Sequence, residues 1–312
     1  LLSINEKNET KQKVPEYIPN VTNNITIVQQ VAPTVVNTPF SSTETSEGNN
    51  HRISDIDTTI PTTPQKNENT FVLIIANENY KKEASVPFAG NDGNSFEQYC
   101  HKTLGVPKTN IHTVSDATLN EMRHEIKWLQ DIISVYKGDV KIIFYYAGHG
   151  IPDEQSKTAY LLPIDGYGSD ASTGYSLTNL YNNLGNVTSK SVIIFLDACF
   201  SGTNRDGNML TAARGVAIKT KVSSPKGNML TITAAQGDET AYPYKEEGHG
   251  LFTYYLLKKL QETKGNVTLG ELGDYIQTQV RRQSVVTNGK IQSPSILVSP
   301  NIGNSWKSWK LK

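Results

Sequence analysis

The apolar residues of this chain follow two periods that alternate along most of its length. Short, nearly continuous apolar runs predict strands at 71–76, 111–114, 140–146, 192–197, 229–234 and about 295–299. Between them, amphipathic stretches predict helices at 92–104, 117–136, 177–184, 250–262 and 268–283. In the second helix Glu121, Glu125, Ile126, Leu129, Ile132 and Ile133 repeat with helical period, and Ile126, Leu129 and Ile133 form its buried stripe. Apolar runs without polar alternation suit strands covered on both faces, as in parallel sheets. The alternation of strand and helix therefore predicts an α/β fold, an α/β/α sandwich around a mostly parallel six-stranded sheet.

The first 68 residues break the pattern. They are rich in Asn, Thr, Ser, Pro and Gln, and a stretch such as 41–50 (SSTETSEGNN) cannot bury enough apolar area to offset its ordering entropy. Only Ile25-Thr-Ile-Val-Gln-Gln-Val31 has strand propensity, suited to an exposed sheet edge. The expected organisation is a low-complexity extension, linker or propeptide over 1–68, a catalytic-type domain over 69–300 and a tail over 301–312.

Two of the strands end in reactive residues. Lys141-Ile-Ile-Phe-Tyr-Tyr-Ala-Gly-His149-Gly150 delivers an imidazole, and Ser191-Val-Ile-Ile-Phe-Leu-Asp-Ala-Cys199-Phe-Ser-Gly202 delivers a thiol. Open α/β sheets bind ligands beyond the carboxyl ends of their strands, so His149 and Cys199 at the ends of neighbouring strands would face one crevice. Those two residue types make a nucleophile and its base: the thiolate attacks a carbonyl, and the imidazole takes its proton and returns it to the leaving amine. The backbone N–H groups of Gly150 and Cys199 are candidates for an oxyanion hole.

These segments resemble the His and Cys motifs of the caspase-like cysteine peptidases (family C14), especially the metacaspase and bacterial branches. The His lies 50 residues before the Cys, and a caspase His lies about 50 residues upstream of its Cys. Phe71–Tyr80 resembles the family's first strand, Phe88-Ala-Gly-Asn-Asp92 its next motif, with Gly93 in place of an Ala, and Ala159–Asp165 and Gly248–Leu257 are similar to later segments. The likeness runs over roughly 69–300. It implies a cysteine endopeptidase acting on peptide or protein substrates. Where the aspartate-cutting branch has Gln, two positions before the nucleophile, this chain has Asp197, and a carboxylate there favours Arg or Lys at P1. Asp92 resembles the second acidic pocket residue of metacaspases; its plain alternative is a helix N-cap. The segment 203–227, expected to be a long exposed loop, contains Arg205, Arg214, Lys219, Lys221 and Lys226, all candidate sites of autocleavage by a basic-directed peptidase.

Competing readings use other residues. His249 also sits between glycines but opens an amphipathic stretch rather than ending a strand, which leaves His149 as the expected base. Cys100 reads as a small core hydrophobe on a helix, and a Cys100–Cys199 disulfide is the alternative to a free nucleophile. A caspase-like pseudoenzyme, or a scaffold binding a ligand in the crevice, is the alternative to a peptidase.

Charge and composition remove other classes. Thirty basic and thirty acidic residues cancel, which gives no phosphate-tracking surface and argues against nucleic acid as a partner. No apolar run approaches the 18 or so residues of a membrane span. Two cysteines exclude a Cys-rich zinc site. The metacaspase resemblance raises calcium, but Asp153, Glu154, Asp165 and Asp170 are a sparse set for an oxygen cage, so no cofactor and no metal are expected. The chain begins at Leu1 rather than Met, which leaves room for a removed targeting segment; compartment and oligomeric state stay open.

Overall fold

The structure is a computed structural model that describes residues 54–208, 210, 220 and 223–312. One sheet holds β1 (Thr70–Ala76), β2 (Ile111–Ser115), β3 (Lys141–Ala147), β4 (Ser191–Asp197), β5 (Met229–Thr233) and β6 (Ser295–Val298). Their order is β6-β5-β4-β3-β1-β2, parallel throughout except that β6 runs antiparallel to β5. The main helices are α1 (Ala89–Gln98), α2 (Leu119–Tyr136), α3 (Leu177–Gly185), α4 (Leu251–Thr263) and α5 (Leu269–Asn288).

Alternate strand residues point to opposite faces of the sheet, and both faces are covered. Val72, Ile74, Tyr145, Ile193, Phe195 and Ile232 pack with apolar residues of α1, α4 and α5. Phe71, Leu73, Ile75, Phe144, Ile194 and Leu196 pack with those of α2 and α3. This double burial is why the strand runs carry so few polar residues. The α/β/α sandwich and its six strands agree with expectation, each strand to within a residue or so. Helices α2 and α5 open on capping boxes, Thr118 with Glu121 and Thr268 with Glu271, in which side chain and backbone satisfy each other's free groups.

The start of α1 differs from its expected position. The helix begins at Ala89 after a left-handed Phe88 (φ 70°), so Asp92 lies inside the first turn and is not an N-cap. Cys100 follows α1 in a single π-turn, buried in the core, and both cysteines are free.

Packed structure also extends past both limits expected for the domain. A helical turn at Asp55–Thr58 seats Ile56 in the core, and the Tyr99 hydroxyl donates to the Ile56 carbonyl at 2.9 Å. At the other end Trp306 and Leu311 enter the same cluster, and the Leu269 N–H donates to the Trp309 carbonyl at 2.7 Å. Single anchors such as Ile56, Trp306 and Leu311 have no period, so a search for periodicity passes over them. The Ile25–Val31 stretch lies outside the described residues.

Chain direction across the sheet decides where a site can form. The chain steps from β1 outward to β2, then returns to β3 on the other side of β1 and continues to β4 and β5. The order reverses between β1 and β3, and such a reversal leaves a crevice beyond the strands' carboxyl ends. Among the described residues no helix is long and apolar enough to cross a membrane.

Because Trp306 is buried against α5 and the core, Trp306→Ala should lower the unfolding free energy by about 3–5 kcal/mol. Urea denaturation of the two proteins measures this. A change within about 0.5 kcal/mol, the range of an ordinary surface substitution, would mean that the C-terminal segment is not part of the cooperative fold.

Candidate active site

β3 and β4 pair in register with Ala147 opposite Asp197. His149 and Cys199, each two residues further on, therefore leave neighbouring strand ends at the same level, on strands about 4.8 Å apart. Both are almost closed to solvent, with 2% and 4% exposure. The backbone of His149 is clamped by two phenols: its N–H donates to the Tyr80 hydroxyl at 2.8 Å, and the Tyr146 hydroxyl donates to its carbonyl at 2.7 Å. The Tyr80 ring also leans on the imidazole, 4.6 Å between centroids.

The tautomer of His149 follows from its contact with Ala84. Nε2 lies 2.7 Å from the Ala84 carbonyl, which can only accept, so Nε2 carries the proton of the neutral ring and Nδ1 keeps its lone pair. Burial pulls the His149 pKa down to about 4, and the Arg205 charge adds to that, against the Ala84 hydrogen bond. The imidazole is neutral at pH 7.

The Cys199 sulfur accepts the Ala241 N–H at 2.8 Å. Burial still pushes the thiol up to about 11. The pair is therefore thiol and neutral imidazole at rest, not thiolate and imidazolium. Gly150 allows the two strand ends to approach: a Cβ there would lie 2.5 Å from both the Cys199 carbonyl oxygen and the Phe200 ring.

Beyond the pair lies a row of charges, buried except for the half-buried Asp57 at its far end. Asp197 ends β4 and Asp92 sits in the first turn of α1. Between them is Arg205, 3% exposed, which donates from Nη1 to the Pro87 carbonyl at 2.6 Å and from Nη2 to Asp92 Oδ2 at 3.0 Å, with Asp197 Oδ2 3.4 Å away. On the far side, His249 Nδ1 lies 2.9 Å from Asp92 Oδ1 and its Nε2 3.1 Å from Asp57 Oδ2. Each ring nitrogen faces a carboxylate and donates, so His249 is an imidazolium. Burial alone would lower its pKa, but the two carboxylates override that and raise it to about 9. The row requires glycine at 250, where a Cβ would come within 2.9 Å of Asp92 Oδ2 and 2.8 Å of Arg205 Nη2. Asp197 Oδ2 accepts the Thr253 hydroxyl at 2.7 Å, whereas its buried Oδ1 has no protein partner. Burial raises the Asp197 pKa, opposed by Arg205.

The family model of the caspase domain, Peptidase C14, matches residues 69–301. The chain belongs to the caspase-domain peptidases. Among solved structures it is similar to caspase-1 from Spodoptera frugiperda, at 16% identity and a TM-score of 0.52, with 75% of this chain and 90% of that chain covered. Likeness at that identity speaks for the fold. A comparison with curated proteins returned no match. The caspase domain makes this chain a cysteine peptidase in general class, with proteins or peptides as substrates.

Within this caspase domain the structure brings together His149, Gly150, Cys199, Asp92 and Asp197. It adds three residues that the sequence reading did not assign to the site. Asp57 comes from the segment read as a linker. His249, weighed as a competing base, has both nitrogens committed to carboxylates and no lone pair to offer. Arg205 was expected in an exposed loop and is instead buried on the acidic pair, because a cation there compensates two carboxylates that would otherwise stand unpaired. It lies six residues after Cys199 in a stretch whose composition reads as an exposed loop, so no local signal marked it. Lys226 is exposed, and Arg214, Lys219 and Lys221 lie outside the described residues.

The four carboxylates considered for calcium do not gather. Asp153 holds Ser156, Asp165 holds the Leu119 N–H and Asp170 holds the Ser172 N–H. Among the described residues no three His, Cys, Asp or Glu side chains form a set that could hold a metal ion. Beside the site a cleft of about 430 Å³ is lined by Phe200, Tyr181, Leu177, Ala235, Asp238 and Glu239, among others, and does not include His149 or Cys199.

The His249 imidazolium gives a signed pH effect. Its folded pKa, about 9, exceeds the unfolded value near 6.5, so its contribution is fully present below pH 6.5 and is lost as pH rises through 9. At about 1.4 kcal/mol per unit this is on the order of 3 kcal/mol. Wild-type stability should fall across pH 7–9.5, and His249→Gln should be less stable at pH 7 with a flatter profile. Parallel profiles for the two proteins would mean that His249 is not charged in the fold.

Proposed function

We propose that this caspase domain is an endopeptidase that uses Cys199 as nucleophile and His149 as its base, and cuts after Arg or Lys. The observation that carries the reading is the common register of β3 and β4, which delivers both residues at one level beside an acidic pair that already holds a guanidinium.

The reaction runs through the chain's own groups and water. His149 Nδ1 takes the Cys199 proton as Sγ attacks the scissile carbonyl carbon, and the carbonyl π-electrons move to oxygen. The N–H groups of Gly150 and Cys199 are the donors for that oxyanion, a contribution of about 2.7–4 kcal/mol per donor in comparable sites. As the C–N bond breaks, the imidazolium gives its proton to the amine, leaving a thioester. Water then attacks the thioester with His149 again as base, and the thiol leaves reprotonated with the acid product. Ala84 holds the ring so that Nδ1, rather than Nε2, cycles the proton.

A basic P1 residue is supported by the charge on Asp92 and Asp197 and by the chemistry of what they hold. Autoprocessing between 203 and 227 follows from the same preference. Of the two candidates among the described residues Lys226 is exposed, and the bond after Arg205 becomes available only once that side chain leaves its carboxylates.

One observation favours a second reading: the thiol is buried and held protonated, as suits a pseudoenzyme that uses the fold as a scaffold. The two readings separate in a peptide-library digestion. Cys199→Ala and His149→Ala should each lose at least about 10³-fold in kcat/KM, while wild type cuts only after Arg or Lys. A folded wild type that cuts nothing before or after processing supports the scaffold, and equal turnover of acidic and basic P1 residues overturns the pocket assignment.

For autoprocessing, mass spectrometry of fresh wild type should find a cut after a basic residue in 203–227 that Cys199→Ala lacks. Identical nicking of both proteins would assign the cut to a contaminant.

A further inference from the structure

The acidic pair is already filled, and by the chain itself. Arg205 lies six residues after Cys199, so the segment that leaves the nucleophile also carries the occupant of the pocket assigned to substrate. We infer that Arg205 is a built-in competitor for the basic-residue pocket, and that substrate binds by exchanging its own P1 guanidinium for that of Arg205. This rests on the basic-P1 reading above.

Three features carry the inference. The first is the turn that bears Arg205, which closes on itself. Asn204 N–H donates to the Asn208 carbonyl at 2.8 Å, Gly207 N–H to the Asn204 carbonyl at 3.0 Å, and Asn204 Oδ1 accepts the Asp206 and Asn208 N–H groups. Among the described residues it is tied to the rest of the domain by the Arg205 contacts, a Thr203–Thr240 hydroxyl contact at 3.2 Å, a long Lys245–Asp206 pair at 3.9 Å and the packing of Leu210 on the Ile151–Leu162–Ala171 cluster. None of the turn's internal hydrogen bonds uses the Arg205 side chain, so the guanidinium can be released without opening them.

The second feature is charge. Asp57, Asp92 and Asp197 face two cations, His249 and Arg205, so the row has one excess carboxylate even when Arg205 is in place. When Arg205 leaves, Asp92 keeps His249 but Asp197 keeps only Thr253, so burial then favours either a proton on Asp197 or an entering cation. A guanidinium from substrate restores the compensation that Arg205 gave.

The third is shape. The acceptors around Arg205 are the Pro87 carbonyl and Asp92 Oδ2, engaged by separate nitrogens of one planar group, with Asp197 Oδ2 alongside and Asp197 Oδ1 still unpartnered. A flat fork with five donors satisfies this arrangement, and a single ammonium point charge does not. The ligand class is therefore a guanidinium, and P1 arginine should be preferred to P1 lysine.

The experiment has a binding arm and a kinetic arm. In the binding arm, full-length Cys199→Ala and Cys199→Ala/Arg205→Ala are melted with and without millimolar agmatine, and again with butylamine as the ammonium control. The double variant should melt lower than its parent and recover with agmatine but not with butylamine, while the parent responds little because Arg205 fills the site. No rescue of the double variant by agmatine overturns the inference, as does equal rescue by butylamine.

The kinetic arm compares wild type, Arg205→Gln and Arg205→Lys on an Arg peptide. Removing a competing internal ligand should lower KM about 10-fold or more, and Arg205→Lys, a poorer fit, should fall between. A folded Arg205→Lys with kcat abolished would make Arg205 a fixed structural counter-ion and overturn the inference. If no variant cuts any peptide, the peptidase reading fails, and the binding arm still decides whether the pocket takes a guanidinium.

Discussion

A buried carboxylate needs a cation or donors to compensate it, and the region around the candidate site is organised by that constraint. Asp57, His249, Asp92, Arg205 and Asp197 form one row in which each charge touches one of the opposite sign. Taking one partner from a buried pair costs about 3–5 kcal/mol, because the other is left uncompensated. The row joins parts of the chain that are far apart in sequence: the segment before the sheet, the first turn of α1, the end of β4, the turn after Cys199 and the approach to α4. Positioning of Asp92 and Asp197 and anchoring of residues 54–60 are thus one electrostatic problem.

The reactive pair obeys the opposite rule. His149 and Cys199 are buried without charged partners of their own, so both are driven to neutrality, the imidazole by a lowered pKa and the thiol by a raised one. In the row, opposite charges act against the effect of burial; the pair has no such partners, and burial leaves it neutral. Arg205 belongs to both, since its charge holds the carboxylates and also disfavours the His149 imidazolium. A movement of Arg205 would therefore change the surroundings of Asp92 and Asp197 and the proton affinity of His149 together.

The fold tolerates much sequence change because few of its requirements are specific. The likeness to caspase-1 from Spodoptera frugiperda, at 16% identity, is one of fold. In this chain the fold asks for apolar strands covered on both faces and a register that sets two strand ends level. Many combinations of Val, Ile, Leu and Phe meet the first requirement. The second is fixed by the ladder between β3 and β4, whose side chains lie buried in the two apolar layers.

The sequence by itself determined the six strands, the five helices, the α/β/α class and the strand ends on which His149 and Cys199 lie. Each of these depends on local period or on adjacency to an apolar run, and local patterns survive in a one-dimensional reading. The family, too, was legible from short ordered motifs around those strand ends. Tertiary structure alone decided the surroundings of Asp92 and Asp197. Nothing near Arg205 in sequence says that its guanidinium is buried; composition marks a loop of Gly, Asn and Asp as exposed, and only the meeting of β4, α1 and the α4 approach creates a place where a cation must go. His249 was visible as a glycine-flanked histidine, but whether it is a base or an imidazolium depends on two carboxylates 157 and 192 positions away in the chain. Asp57 lay in a segment whose polarity resembles a linker. Long-range charge compensation has no period and no fixed spacing, so it enters only when the chain is folded.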